Sequence, residues 1–199
     1  FAGYVALRMG LPIERLILAT NRNDILSRFV NSGVYSTGTV HPTISPSMDI
    51  QISSNFERYL YFLMDEDPAQ VKALMEQMSR EGQLGVSEEK LQEVNQLFYA
   101  VAVSEAETQA QICETYEQTG YILDPHTAVG VHAAKAFPGA VCLATAHPAK
   151  FGAAVKEAIG VESEPPPSLQ GLMEKEARCA VLDADAAVIK DFMQSTLAN

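Results

Sequence analysis

Apolar positions along this chain alternate between two spacings. From Phe1 to Met9 they recur at helical intervals, stop at Gly10 and are reset by Pro12, after which Arg15 to Thr20, continuously apolar over Leu16 to Ala19, reads as a short buried strand. Asn23 or Asp24 then caps a predicted helix with Ile25, Leu26, Phe29 and Val30 on one face, closing at Gly33. Residues 34–46 are rich in turn formers, and Ile50 and Ile52 alternate briefly. Ser53, Ser54 and Asn55 open a helix with Phe56, Leu60 and Leu63 at helical spacing. Two amphipathic helices follow, over about 69–80 and 88–98, separated by Gly82 and Gly85.

The second half repeats the alternation. Tyr99 to Val103 reads as a strand, Ser104 as the cap of a helix reaching Thr119, and Gly120 as its stop. Asp124 opens another helix, and residues 140–144 form an apolar run read as a buried strand that ends at Thr145 and His147, where Pro148 starts a helix to about Ile159. Beyond the proline stretch 165–167 the pattern predicts helix, strand (178–182) and helix, the last capped by Asp183 and striped by Val188, Ile189, Phe192 and Met193. Strands separated by helices predict an α/β fold with a mainly parallel sheet and helices on both faces, with a helical insertion at about 66–98. The residues after the prolines are too few for a core of their own, so 1–199 reads as one region without an independent second domain.

Composition narrows the function classes. A hydrophobic content of 47% in 199 residues suffices for a core, and a formal net charge of −11 repels nucleic acid and anionic membranes. Cys113, Cys142 and Cys179 are odd in number and far apart, which fits neither a disulfide framework nor a zinc site and points to a reducing cytosol or organelle matrix; a cytoplasmic location is expected. His126 and His132 are six apart, about 240° around a helix, and so do not form a metal pair; no metal is expected.

Candidate chemistry gathers at strand ends and helix starts. Open α/β sheets bind ligands at the carboxyl ends of their strands, and a threonine hydroxyl there meets a ring nitrogen or carbonyl without bringing in a charge. Thr145 and His147 occupy such a place, and the same residues also suit simple capping of the following helix. Asp124 and Thr127 read as a cap pair, with His126 at the same helix start. Ser53, Ser54, Asn55 and Arg58 bring hydroxyl, amide and guanidinium groups to a helix amino terminus, which suits a phosphate dianion; Ser53 or Ser54 with Glu57 equally forms an ordinary capping box.

Three blocks carry a family resemblance: residues 45–58 (SPSMDIQISSNFER), 124–134 (DPHTAVGVHAA) and 143–151 (LATAHPAKF). In this order they resemble threonine synthase, a pyridoxal 5'-phosphate enzyme converting O-phospho-L-homoserine and water to L-threonine and phosphate. The resemblance covers the whole chain and implies the tryptophan synthase beta-like fold of such enzymes, with Thr145 against the pyridine nitrogen and His126 and His147 near cofactor or substrate. A hydroxyl partner leaves that nitrogen largely neutral and tempers the electron sink. The substrate's phosphate is the expected ligand of Ser53, Ser54, Asn55 and Arg58. Phe1 aligns directly after the family's Gly-Asn-Phe-Gly phosphate loop, so the chain reads as the carboxyl-terminal part, inactive without the amino-terminal half. None of Lys72, Lys90, Lys135, Lys150, Lys156, Lys175 or Lys190 lies in a segment resembling the Schiff-base lysine motif, so no catalytic residue is assigned within the chain. The rivals are a related dehydratase or β-replacement enzyme with the same cofactor, and a non-catalytic paralogue binding a phosphorylated metabolite.

Overall fold

The computed structural model describes residues 1–177 and 179–197 in two compact units, one spanning residues 1–164 and the other starting at Pro165. In the first unit, helix α1 (Ala2–Arg8) leads to strand β1 (Leu16–Thr20), and helix α2 (Ile25–Ser32) ends at Gly33 in the left-handed region, φ 75°. Glycine has no Cβ to clash there, so the chain turns directly into strand β2 (Val34–Ser36). After a loop come helices α3 (Ser54–Leu63) and α4 (Pro68–Glu81), strand β3 (Gln83–Gly85), helix α5 (Glu88–Leu97) and strand β4 (Phe98–Ala102). Helices α6 (Glu105–Thr119), α7 (Pro125–Ala134) and α8 (Gly152–Ile159) complete the unit.

β1 and β4 pair in parallel, Leu16 opposite Phe98 through Thr20 opposite Ala102, and Val103 N–H donates to the Thr20 carbonyl just beyond the ladder. β2 and β3 pair antiparallel, Tyr35 opposite Leu84. That second pair lies in stretches read from the sequence only as turns and separators, because three residues are too few to display an alternation. The insertion predicted at 66–98 is helical at α4 and α5, with β3 between them.

Two apolar clusters hold the unit together. The larger joins Phe29 and Val30 of α2, Phe56 and Leu60 of α3, Val71 and Met78 of α4, Val94 of α5 and Ala100 of β4, with Leu18 of β1 packed against it. At its centre the Tyr35 and Phe56 rings stack 3.9 Å apart and Phe29 meets Phe56 edge-on at 4.6 Å, pairs that contribute about 0.5–1.5 kcal/mol each beyond area burial. The Tyr35 hydroxyl accepts the Ser53 N–H at 2.7 Å, which fixes the start of α3; burial raises the Tyr35 phenol above its ordinary pKa. The smaller cluster joins Ile112 of α6, Leu123 just before α7, Ala128 of α7, and Ala158 and Ile159 of α8. A full capping box starts α6, the Ser104 hydroxyl accepting Glu107 N–H while the Glu107 carboxylate accepts Ser104 N–H. The Ser104 groups hold the Glu107 carboxyl below its usual range.

Two expected strands are absent from the described residues. Residues 140–144 form no ladder, and 141–144 are exposed, Val141 at 88% and Leu143 at 74%. β1 and β4 hydrogen-bond only to each other, so this apolar run has no strand beside it to satisfy its backbone or cover its side chains. Residues 179–182 are also irregular, and Arg178, the first of that expected strand, lies outside the described residues. In the second unit the helix expected after the prolines is two short 3₁₀ turns, Pro167–Leu169 and Leu172–Glu174. Helix α9 (Ala186–Leu197) follows; Asp185, not Asp183, accepts its first N–H groups, from Ala187 and Val188.

Candidate functional site

The carboxyl end of β1 delivers Thr20, Asn21 and Asn23, all nearly fully buried. Asn21 Oδ1 accepts both Asn23 N–H and Asn23 Nδ2–H. Asn21 Nδ2 reaches Thr43 Oγ1, Ser45 Oγ and, at 2.8 Å, Asp49 Oδ1. Asn23 Nδ2 donates to the same Asp49 oxygen and to the His41 carbonyl, and its Oδ1 accepts His41 N–H. Asp49 also accepts Thr43 N–H and Thr43 Oγ1–H. Each amide and carboxylate oxygen in this cluster meets a donor, and a buried polar network with its partners in place holds one conformation. It ties loop 39–52 over the strand end.

That loop carries Ser47, whose N–H donates to His126 Nε2 at 3.1 Å. An acceptor at Nε2 puts the imidazole proton on Nδ1, which faces Asp124 Oδ1 at 3.1 Å. Both nitrogens of the buried His126 ring are therefore engaged inside the chain, and the ring packs on Phe151, centroids 4.6 Å apart. Asp124 Oδ1 also accepts the N–H groups of His126 and Thr127 as the cap of α7. The other oxygen, Oδ2, accepts the Thr127 hydroxyl. Thr127 Oγ1 in turn accepts Thr145 N–H at 3.0 Å and lies 3.3 Å from Thr145 Oγ1. Thr145 is exposed, a neutral hydroxyl held at the end of a buried carboxylate and a buried threonine.

The other sequence candidates are distributed differently. His147 is exposed, and its Nδ1 accepts Ala149 N–H at 3.2 Å as the cap of a 3₁₀ turn, Pro148–Phe151, that precedes α8. Ser53 has no side-chain cap bond and no capping box with Glu57 forms. Ser54 and Arg58 line an open groove of about 900 Å³ between α3 and α4, with Glu57, Lys72 and Glu76. Ser53 and Asn55 line a neighbouring apolar cavity of about 230 Å³ with Tyr4, Phe29 and Tyr59. Arg58 Nη1 donates to Asn55 Oδ1 at 3.2 Å, so the guanidinium is held at the rim between the two. No group of three or more histidine, cysteine, aspartate or glutamate residues is gathered for a metal ion among the described residues, and no helix there is long and apolar enough to cross a membrane.

Sequence reasoning overlooked Asn21, Thr43 and Asp49, and it offered Asn23, with Asp24 as the alternative, only as a helix cap. The visible signal was four polar residues in a row, Asn21 to Asp24, directly after an apolar strand, at the place where such sheets bind ligands.

Residues 127–193 match the family model described as threonine synthase, C-terminal. Threonine synthase of Pseudomonas aeruginosa is 45% identical over 199 residues, covering 97% of this chain and 42% of its own length. The crystal structure of PLP-bound threonine synthase from Brucella melitensis superposes with a TM-score of 0.87 at 46% identity, over 98% of this chain and 43% of that one. Yeast threonine synthase superposes with a TM-score of 0.85 at 37% identity, over 99% and 45%. The chain thus spans less than half the length of the relatives it matches. On these similarities, with an α/β fold shared at 0.87 and 0.85, the chain belongs to the threonine synthase family.

Proposed function

We propose that this chain is the carboxyl-terminal part of a pyridoxal 5'-phosphate enzyme that converts O-phospho-L-homoserine and water to L-threonine and phosphate, and that Thr145 contacts the cofactor's ring nitrogen. The observation that carries the reading is the Thr145 hydroxyl: exposed, uncharged and anchored through Thr127 to the buried Asp124. This donor set fits a pyridine nitrogen, which wants one hydrogen-bonding group and no bulky charge.

When bound, the cofactor supplies the electron sink for proton loss at carbon. This chain's residues do the placing. Thr145 fixes one edge of the ring, and residues 140–144 supply apolar wall that the rest of the protein covers. His126, with both nitrogens engaged, orients α7 and loop 39–52 and moves no proton. Arg58, with Ser54 in the α3–α4 groove, offers a guanidinium to the substrate's phosphate. None of the seven lysines resembles the cofactor-bearing lysine, so the chain is inactive by itself.

The test is the full-length protein loaded with pyridoxal 5'-phosphate and given O-phospho-L-homoserine. Threonine and phosphate should appear in equal amounts. A loaded protein that releases neither, or forms a keto acid from serine or threonine instead, contradicts this reading.

A further inference from the structure

The two carboxylate oxygens of Asp124 divide their work. Oδ1 alone satisfies the cap of α7, accepting the N–H groups of His126 and Thr127 as well as His126 Nδ1–H. Oδ2 is not needed for capping, and it takes the hydroxyl proton of Thr127. A threonine hydroxyl has one proton and two lone pairs. With its proton committed to Asp124, Thr127 Oγ1 can only accept from everything else, and it accepts Thr145 N–H at 3.0 Å.

At the remaining contact, Thr127 Oγ1 to Thr145 Oγ1, only Thr145 can be the donor. The separation of 3.3 Å exceeds the roughly 2.5–3.0 Å usual between hydroxyl oxygens, so the bond is weak and readily exchanged for a better acceptor. Thr145 also lies in a stretch without ladder hydrogen bonds, residues 140–146, and its backbone N–H is tied to Thr127.

We propose that Thr127 and Asp124 are positioning residues which hold Thr145 in place and leave its hydroxyl proton free to be donated outward to a neutral ring nitrogen. The inference rests on the ring contact proposed for Thr145. It goes further by making the direction of the proton a property of the Asp124–Thr127 pair: an acceptor behind Thr145 never competes to protonate it, so Thr145 serves the ring as donor.

The test is a double-variant cycle in the full-length protein, with pyridoxal 5'-phosphate as the probe and its dissociation constant, its visible absorption spectrum and the melting temperature as readouts. Thr127→Val keeps the shape and removes the acceptor. It should raise the dissociation constant about five-fold, the equivalent of one hydrogen bond, and shift the visible band, while Thr127→Ser restores both. In a Thr145→Val background, Thr127→Val should leave cofactor affinity and spectrum unchanged while still shifting the melting temperature. Asp124→Asn retains a good capping residue but turns an N–H toward Thr127 Oγ1, and should weaken binding in the same direction; it carries the cycle if Thr127→Val does not fold. Equal losses of affinity in both backgrounds would mean packing alone and overturn the inference, as would an unaltered affinity in Thr127→Val. If Thr145→Val by itself leaves affinity and spectrum untouched, the ring contact is refuted, and this inference with it.

Discussion

Ser47 and His126 are 79 residues apart in sequence, and the Ser47 N–H donates to His126 Nε2 at 3.1 Å. One bond thereby joins the loop pinned by Asn21, Asn23 and Asp49 to the start of α7, where Asp124 and Thr127 hold Thr145. The imidazole acts as a connector with a fixed tautomer. His126→Ala should lower the stability of the full-length protein by about 1–3 kcal/mol, because it strands the Ser47 donor and strips a buried ring from Phe151. His126→Gln, whose amide oxygen can accept the same N–H, should lose less. Thermal or denaturant unfolding of the two variants checks this; equal melting temperatures for His126→Ala and the parent would remove the connector role.

Thr20 points the other way energetically. Its hydroxyl is buried at the end of β1 and has no hydrogen-bond partner in the structure, while its carbonyl accepts Val103 N–H. Replacing an unsatisfied buried hydroxyl with a methyl of the same shape removes a desolvation cost and suits a strand. Thr20→Val should stabilise the full-length protein by about 1 kcal/mol, read as a higher denaturant midpoint at unchanged slope. A lower midpoint would mean that the hydroxyl has a partner in the complete protein.

Arg58 provides a kinetic prediction. If its guanidinium grips the substrate's phosphate with two N–H groups, Arg58→Lys keeps the charge and loses the fork. The Michaelis constant for O-phospho-L-homoserine should rise about ten-fold, on the order of 1.4 kcal/mol, with the melting temperature unchanged because the side chain is exposed. Kinetics indistinguishable from the parent would take Arg58 out of the substrate site.

The helical framework was legible in the sequence because its signals are local. Ser104 caps α6 as its position implied, and Gly33, Gly82 and Gly120 end helices with positive φ. β1 and β4 were legible as short apolar runs. The run at 140–144 carries the same signal and forms no strand, because a strand needs a neighbour and periodicity does not supply one. The site was half visible. Thr145, His126 and the Asp124–Thr127 pair were identifiable, but the bonds joining Thr127 to Thr145 and Ser47 to His126 span 18 and 79 residues, and composition holds no record of such contacts. The Asn21–Asn23–Asp49 cluster was hidden for the same reason: its residues look like turn formers until the loop closes on them.

The central claim is the contact between Thr145 and the ring nitrogen, and the most direct measurement is the structure of the full-length protein with pyridoxal 5'-phosphate bound. Thr145 Oγ1 should lie about 2.6–3.2 Å from that nitrogen, with Thr127 Oγ1 still accepting Thr145 N–H. A ring nitrogen held by another side chain, with Thr145 Oγ1 turned back onto Thr127, would contradict the account.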